Sequence, residues 1–221
     1  MKILARLGLC LSLICLASCA GLPALLELEQ SERTQLLPAC SAVFPCGPFR
    51  VVHTIEISLP MGKTTSLIGV SVGDSAKHTV RSLLISPEGV ILFDAEQAGG
   101  GIQVFRALPP LDEPEFAQRL FGDVGHIFFA PKDQHRQLGR LADQRRVCRF
   151  GQSGRLTDVI LGTGGDWTIR SYDARGRVTR ELVAHPPVQR GFARHMELSV
   201  PGVAGYQMRF ELLRVEDPKE E

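Results

Sequence analysis

The sequence predicts a mainly β (α+β) domain, an antiparallel sheet of about ten strands interrupted once by a helical insertion. Three observations predict it. From Phe49 onward, apolar and polar residues alternate in short runs, turn-forming residues separate the runs, and one central stretch switches to a helical period.

The first run, "FRVVHTIEISLP", places Phe49, Val51, Ile55, Ile57 and Leu59 on one side and Arg50, Thr54, Glu56 and Ser58 on the other, with His53 the exception. Such a period of two is a half-buried strand. Similar runs follow at 66–73, 78–86, 90–97 and 102–108, divided by "SPEG" and "AGGG". In the C-terminal third, "DARG" joins 169–173 to 177–184, and "PGVAG" joins "HMELSV" to "YQMRFELLRV". In that last strand Tyr206, Met208, Phe210 and Leu212 face one way, and Gln207, Arg209 and Glu211 the other.

The break in the strands is "LDEPEFAQRLFGDV". Asp112 is the expected N-cap, Glu113, Pro114 and Glu115 fill the first turn, and Phe116 and Leu120 share a helix face. Phe121, Phe128 and Phe129 extend the apolar surface into "IFFAP". These aromatic residues serve equally to line a cavity or to fill a solid core. The stretch 132–146 reads as loop or weak helix.

The N-terminus has the parts of an export signal. Lys2 and Arg6 precede an apolar run from Leu7 to Leu16, too short for the roughly 20 residues of a membrane span, and small residues follow. The order Leu16-Ala17-Ser18-Cys19 resembles a bacterial lipobox, which implies cleavage before Cys19 and acylation of that cysteine. Two or three acyl chains would hold the protein on its membrane, since each buried methylene is worth about 0.8 kcal/mol. Ala20, where an Asp favours the inner membrane in enteric bacteria, points to the periplasmic face of the outer membrane. The expected organisation is a leader at 1–18, a lipidated cysteine and tether at 19–48, one β domain at 49–216 and a polar tail at 217–221.

Loss of Cys10, Cys15 and Cys19 to leader and lipid leaves Cys40, Cys46 and Cys148. In an oxidising compartment Cys40 and Cys46, in "CSAVFPC", are the expected disulfide, with Cys148 either buried alone or paired with one of them. The 25 Lys and Arg nearly balance the 24 Asp and Glu, which excludes nucleic acid as the main partner. One basic stretch stands out: Lys132, Arg136, Arg140, Arg145 and Arg146, followed by Arg149 and Arg155. It is either a solvated surface or a set of contacts to anionic headgroups.

Other motifs dissolve on inspection. "PMGKTT" lacks the first glycine of a P-loop, a place held by Ile57 in a strand. "AGGGI" and "GTGGDW" have turn spacing rather than dinucleotide-binding spacing. The histidines form no metal motif, and His53 is expected as a buried, hydrogen-bonded side chain. No metal site, no cofactor beyond the lipid on Cys19, and no catalytic residue is expected.

The lipobox, the cysteine-bearing tether, the strands leading through "RALPPLDEPEF" and the closing "GYQMRFELLRVE" together resemble the LolB-like outer-membrane lipoproteins, including a group without an assigned activity placed beside them. The resemblance spans residues 49–216. It implies a curved, open antiparallel half-barrel, a helical insertion acting as lid, and an apolar cavity for lipid or acyl chains. It also implies an exposed apolar loop residue for membrane insertion, whose position the sequence leaves unassigned. Three functions stay open: a lipid or lipoprotein carrier, a non-enzymatic assembly lipoprotein with an envelope protein partner, and a hydrolase. The hydrolase would gather some of His53, His78, His126, His135 and His195 beside a carboxylate or hydroxyl.

Overall fold

A computed structural model describes residues 21–131, 135–152, 154–189 and 191–216. Helix α1 (Gln30–Ser41) precedes five consecutive strands, β1 (Pro48–Ser58), β2 (Thr64–Asp74), β3 (Thr79–Ile85), β4 (Ile91–Ala98) and β5 (Gly101–Ala107). Helix α2 (Pro114–Phe128) follows, then β6 (His135–Arg140), β7 (Arg146–Gln152), β8 (Arg155–Leu161), β9 (Trp167–Tyr172) and β10 (Val178–Ala184). A small hairpin, β11 (Pro187–Gln189) with β12 (Phe192–Ala193), leads into β13 (His195–Val200) and β14 (Tyr206–Glu216).

Twelve strands form one sheet in the order β5-β4-β3-β2-β1-β14-β13-β10-β9-β8-β7-β6. Its edges, β5 and β6, do not meet, so the sheet is open. The long β1 and β14 pair at its centre, Ile57 opposite Met208 and Ile55 opposite Phe210. Alternation within the strands selects the inner side: Phe49, Val51, His53 and Ile55 are all buried along β1. Turn chemistry sets the corners. Gly165, in the "GTGGDW" turn between β8 and β9, has φ of 86°, a conformation that costs glycine little and other residues much.

One hydrophobic core joins both helices to the sheet. α1 contributes Leu36 and Cys40, four residues apart and fully covered, and its flanks add Leu28, Val43 and Phe44. The segment expected as a mere tether is thus part of the domain. Its apolar residues have the helical spacing needed to meet the sheet, although the helix as a whole is polar.

Three further expectations are corrected. The N-cap of α2 is Glu113, not Asp112, because Pro114 with its fixed φ takes the first helical position. The stretch expected as loop or weak helix supplies β6, pairing from His135 opposite Gly151 to Arg140 opposite Arg146. It is an edge strand exposed over His135, Arg136 and Gln137, so it never needed an alternating pattern.

The disulfide is the third. Cys40 bonds Cys148, with Cα atoms 6.4 Å apart, and Cys46 is an exposed free thiol. Cys40 lies on the covered side of α1, directly over β7, where Cys148 is buried. Cys46 lies beyond the helix end, in solvent.

Among the described residues no helix is long and apolar enough to cross a membrane.

Candidate ligand-binding site

Strand register builds the wall of the site. Cys148, Val159, Ile169, Leu182, Leu198, Met208 and Ile57 are paired in turn across seven neighbouring strands, giving one unbroken apolar row. The row alongside it, one pleat away, is polar over three strands: Thr157 opposes Ser171, and Ser171 opposes Arg180. Helix α2 packs on this same side of the sheet and buries Phe121, Val124, Ile127 and Phe128.

Beneath α2, on the side of the first four strands and β14, lies an apolar cavity of about 590 Å³. Ile55 and Ile57 of β1, Leu67 of β2, Leu84 of β3 and Met208 and Phe210 of β14 form its wall. α2 supplies Phe116, Leu120, Val124 and Phe128 as the roof, and the 108–111 segment closes one end. The volume falls in the range of small-molecule sites, about 300–1,000 Å³.

Of the five aromatic and aliphatic residues singled out from sequence, Phe116, Leu120 and Phe128 line this cavity. Phe121 and Phe129 do not. Phe121 is buried in the core, and Phe129, just past the helix, meets the ring of His78 at 5.1 Å.

The few polar groups of the cavity are distinctive. Ser71 and Ser82 face each other across β2 and β3, hydroxyl to hydroxyl at 3.5 Å. His53 sits between Phe128 and Phe210, with its Nε2 buried and without a hydrogen-bond partner among the described residues. Burial lowers its pKa to about 4. The expected burial is observed, but the expected hydrogen bond is missing.

Asp123 of α2 sits at the cavity margin and ties the roof to the sheet. Its Oδ1 accepts a 2.7 Å bond from Nε of Arg180, and its Oδ2 accepts the Tyr206 hydroxyl. Burial pushes the Asp123 carboxyl up, while Arg180 and Tyr206 pull it back. The Tyr206 phenol is raised by burial and by the Asp123 charge. Asp123→Ala is expected to cost about 3 kcal/mol of stability, at the low end for a broken buried pair because Arg180 keeps 28% of its side-chain exposure. Hydrogen exchange should show the loss concentrated in α2, and unchanged protection there would contradict this fastening role.

The basic stretch does not converge on the cavity. Arg140 is paired with Glu32 of α1, and Arg145 with Asp143 at 2.8 Å. Arg146 stands beside Arg140 in the ladder, and Arg136 is exposed on β6. Arg149 is buried with Asp158, two bonds of 2.7 and 2.8 Å. Lys132 and Cys19 lie outside the described residues.

Among the described residues one histidine meets a nucleophile. Nδ1 of His126 lies 3.3 Å from the Ser171 hydroxyl, and Nε2 lies 3.2 Å from the Ile169 carbonyl oxygen. That carbonyl can only accept, so Nε2 donates and Nδ1 accepts from Ser171. Burial lowers the His126 pKa to about 4, which makes it a weak base at neutral pH. The pair reads as a satisfied structural bond rather than a catalytic dyad.

Sequence reasoning missed Asp123, Arg180 and the facing serines. An acidic residue in a helix otherwise presenting Phe121, Val124 and Ile127 was the available signal for Asp123.

Neither a family model nor a curated protein sequence matches this chain. Among solved structures it is similar to a LolA superfamily protein from Nitrosomonas europaea, with a TM-score of 0.60 and 16% identity over 86% of this chain and 94% of that one. An outer membrane lipoprotein-sorting protein domain from Vibrio parahaemolyticus gives 0.47 and 10% identity, over 87% and 96% of the two chains. The first likeness establishes the class: this chain has a Lol-type fold, an open antiparallel half-barrel with a helical insertion.

Proposed function

We propose that the protein is a LolB-like lipoprotein, anchored through Cys19 at the periplasmic face of the outer membrane, that binds lipid or acyl chains and hands them on. One observation carries the reading. The half-barrel holds a cavity of about 590 Å³ under α2 whose walls are mostly apolar, with Arg119 and Asp123 of the helix as its charged groups. An empty apolar space forgoes dispersion contacts, and an acyl chain would restore them.

The rim supports the same reading. Leu59 and Ala204 line the cavity. Beside them, Met61 between β1 and β2 is 91% exposed, and Val203 between β13 and β14 is fully exposed. β1 and β14 are neighbours, so these two loops flank one end of the sheet. They fit the exposed apolar tips with which such a carrier would touch a bilayer.

The test is native mass spectrometry of the whole exported chain carrying Cys19→Ser, with solvent extraction of what co-purifies. Fatty acyl species at near one per chain are expected, and Ser82→Phe, which fills the cavity, should abolish them. A protein that is empty and ignores added phospholipid and lipopeptide would overturn the carrier reading in favour of an assembly role.

A further inference from the structure

A second hollow, of about 740 Å³, lies on the other flank of α2. Gly122 and His126 of the helix face it, whereas Leu120 and Val124 face the apolar cavity. Its floor is the polar row of β8, β9 and β10, that is Thr157, Ser171 and Arg180, with Arg155 and Gln152 at the β7–β8 end. Helix α2 therefore divides the concave side of one sheet into an apolar and a polar compartment, and the Asp123–Arg180 pair stands at the boundary.

The hollow has a defined charge. Asp123 is matched by Arg180 through the 2.7 Å bond. Asp173 is committed to its own turn, accepting from the backbone amides of Arg175 and Arg177 and from Nε of Arg177. His126 is neutral. Arg155 then leaves the compartment with a positive surplus. Arg180 engages Asp123 through Nε, and its terminal nitrogens lie against α2, where a Cβ at Gly122 would meet Nη2 at 2.9 Å. Ser171 gives its one proton to Nδ1 of His126, so the Thr157 hydroxyl, 3.2 Å from it, is the one that can donate to a ligand.

We propose that this compartment binds a phosphate ester, and that in the carrier it receives the headgroup of the amphiphile whose acyl chain occupies the apolar cavity. Guanidinium groups beside a donating hydroxyl suit phosphate oxygens, which take several charge-assisted hydrogen bonds at once. The headgroup assignment rests on the carrier reading. The phosphate site itself stands on the polar compartment alone.

The test compares three probes on the whole chain carrying Cys19→Ser: myristoyl-lysophosphatidylglycerol, the neutral monoacylglycerol with the same chain, and glycerol 3-phosphate. The lysophospholipid is expected to bind about tenfold tighter than the neutral lipid, the gain of one charge-assisted contact set. Arg155→Gln with Thr157→Val should erase that advantage and leave the neutral lipid unaffected. Equal affinity for charged and neutral lipids, or an advantage that survives the double substitution, overturns the proposal while the carrier reading stands. Binding of glycerol 3-phosphate alone, lost in the double variant, would support a site for a free phosphate ester and count against the carrier. Failure of all three probes overturns both.

Discussion

Cys148→Ser is expected to lower stability by about 4 kcal/mol, which for a domain of this size is a fall of roughly 10 °C in Tm. The bond it removes joins residues 108 apart, so in the chain-entropy model it restricts the unfolded chain far more than a local loop would. It also fastens α1 to β7, the element that covers the C-terminal half of the sheet. Urea unfolding should show Cys40→Ser, Cys148→Ser and the reduced wild type alike, and Cys46→Ser unchanged, since that thiol is exposed and free. The opposite ranking, with Cys46 costly and Cys148 harmless, would restore the local pair that the sequence suggests.

Mild acid is expected to destabilise the fold through two histidines, one buried and one half-buried, whose pKa values are depressed. His53 and His126 each hold a pKa of about 4 against 6.5 for an unperturbed side chain. Below pH 6.5 the unfolded chain takes up protons that the folded chain refuses until about pH 4. Stability present above pH 6.5 is therefore lost progressively as the pH falls to about 4, by at most ~3 kcal/mol per histidine. The raised pKa of Asp123 has the opposite sign and offsets part of the loss at the acid end. His53→Phe should flatten the pH dependence by about one proton and leave stability at pH 7.5 equal or higher, because it removes a buried nitrogen without a partner. An unchanged slope in urea titrations between pH 7.5 and 4.5 would show that His53 is not protonated on unfolding.

The sheet was legible because its strands bury one side. The alternation at Phe49, Val51 and Ile55, and again at Tyr206, Met208 and Phe210, survives in the observed burial. Long-range choices were less legible. Whether Cys40 meets Cys46 or Cys148 depends on where α1 comes to rest on the sheet, and no local pattern records that. β6 was hidden for a related reason: its first half, His135 to Gln137, is exposed and writes no buried side into the sequence.

The site was half legible. Phe116 and Leu120 were singled out by helical spacing and Phe128 by the apolar run that follows, but whether they enclose space or fill it depends on the curvature of the facing sheet. The polar row was out of reach. Thr157, Ser171 and Arg180 are ordinary surface-type residues until strand pairing sets them side by side.

The central pairing of β1 with β14 has a consequence for biogenesis. The first strand of the sheet bonds to the last, Arg50 opposite Glu216 through Ser58 opposite Gln207. A chain emerging from its N-terminus can assemble the β1–β5 meander early, but the seam joining the two halves waits for β14. Contacts of such long sequence separation form late and slowly. A nascent chain built this way stays open until β14 has emerged, the condition a protein must meet if it is to be threaded through a membrane before it folds.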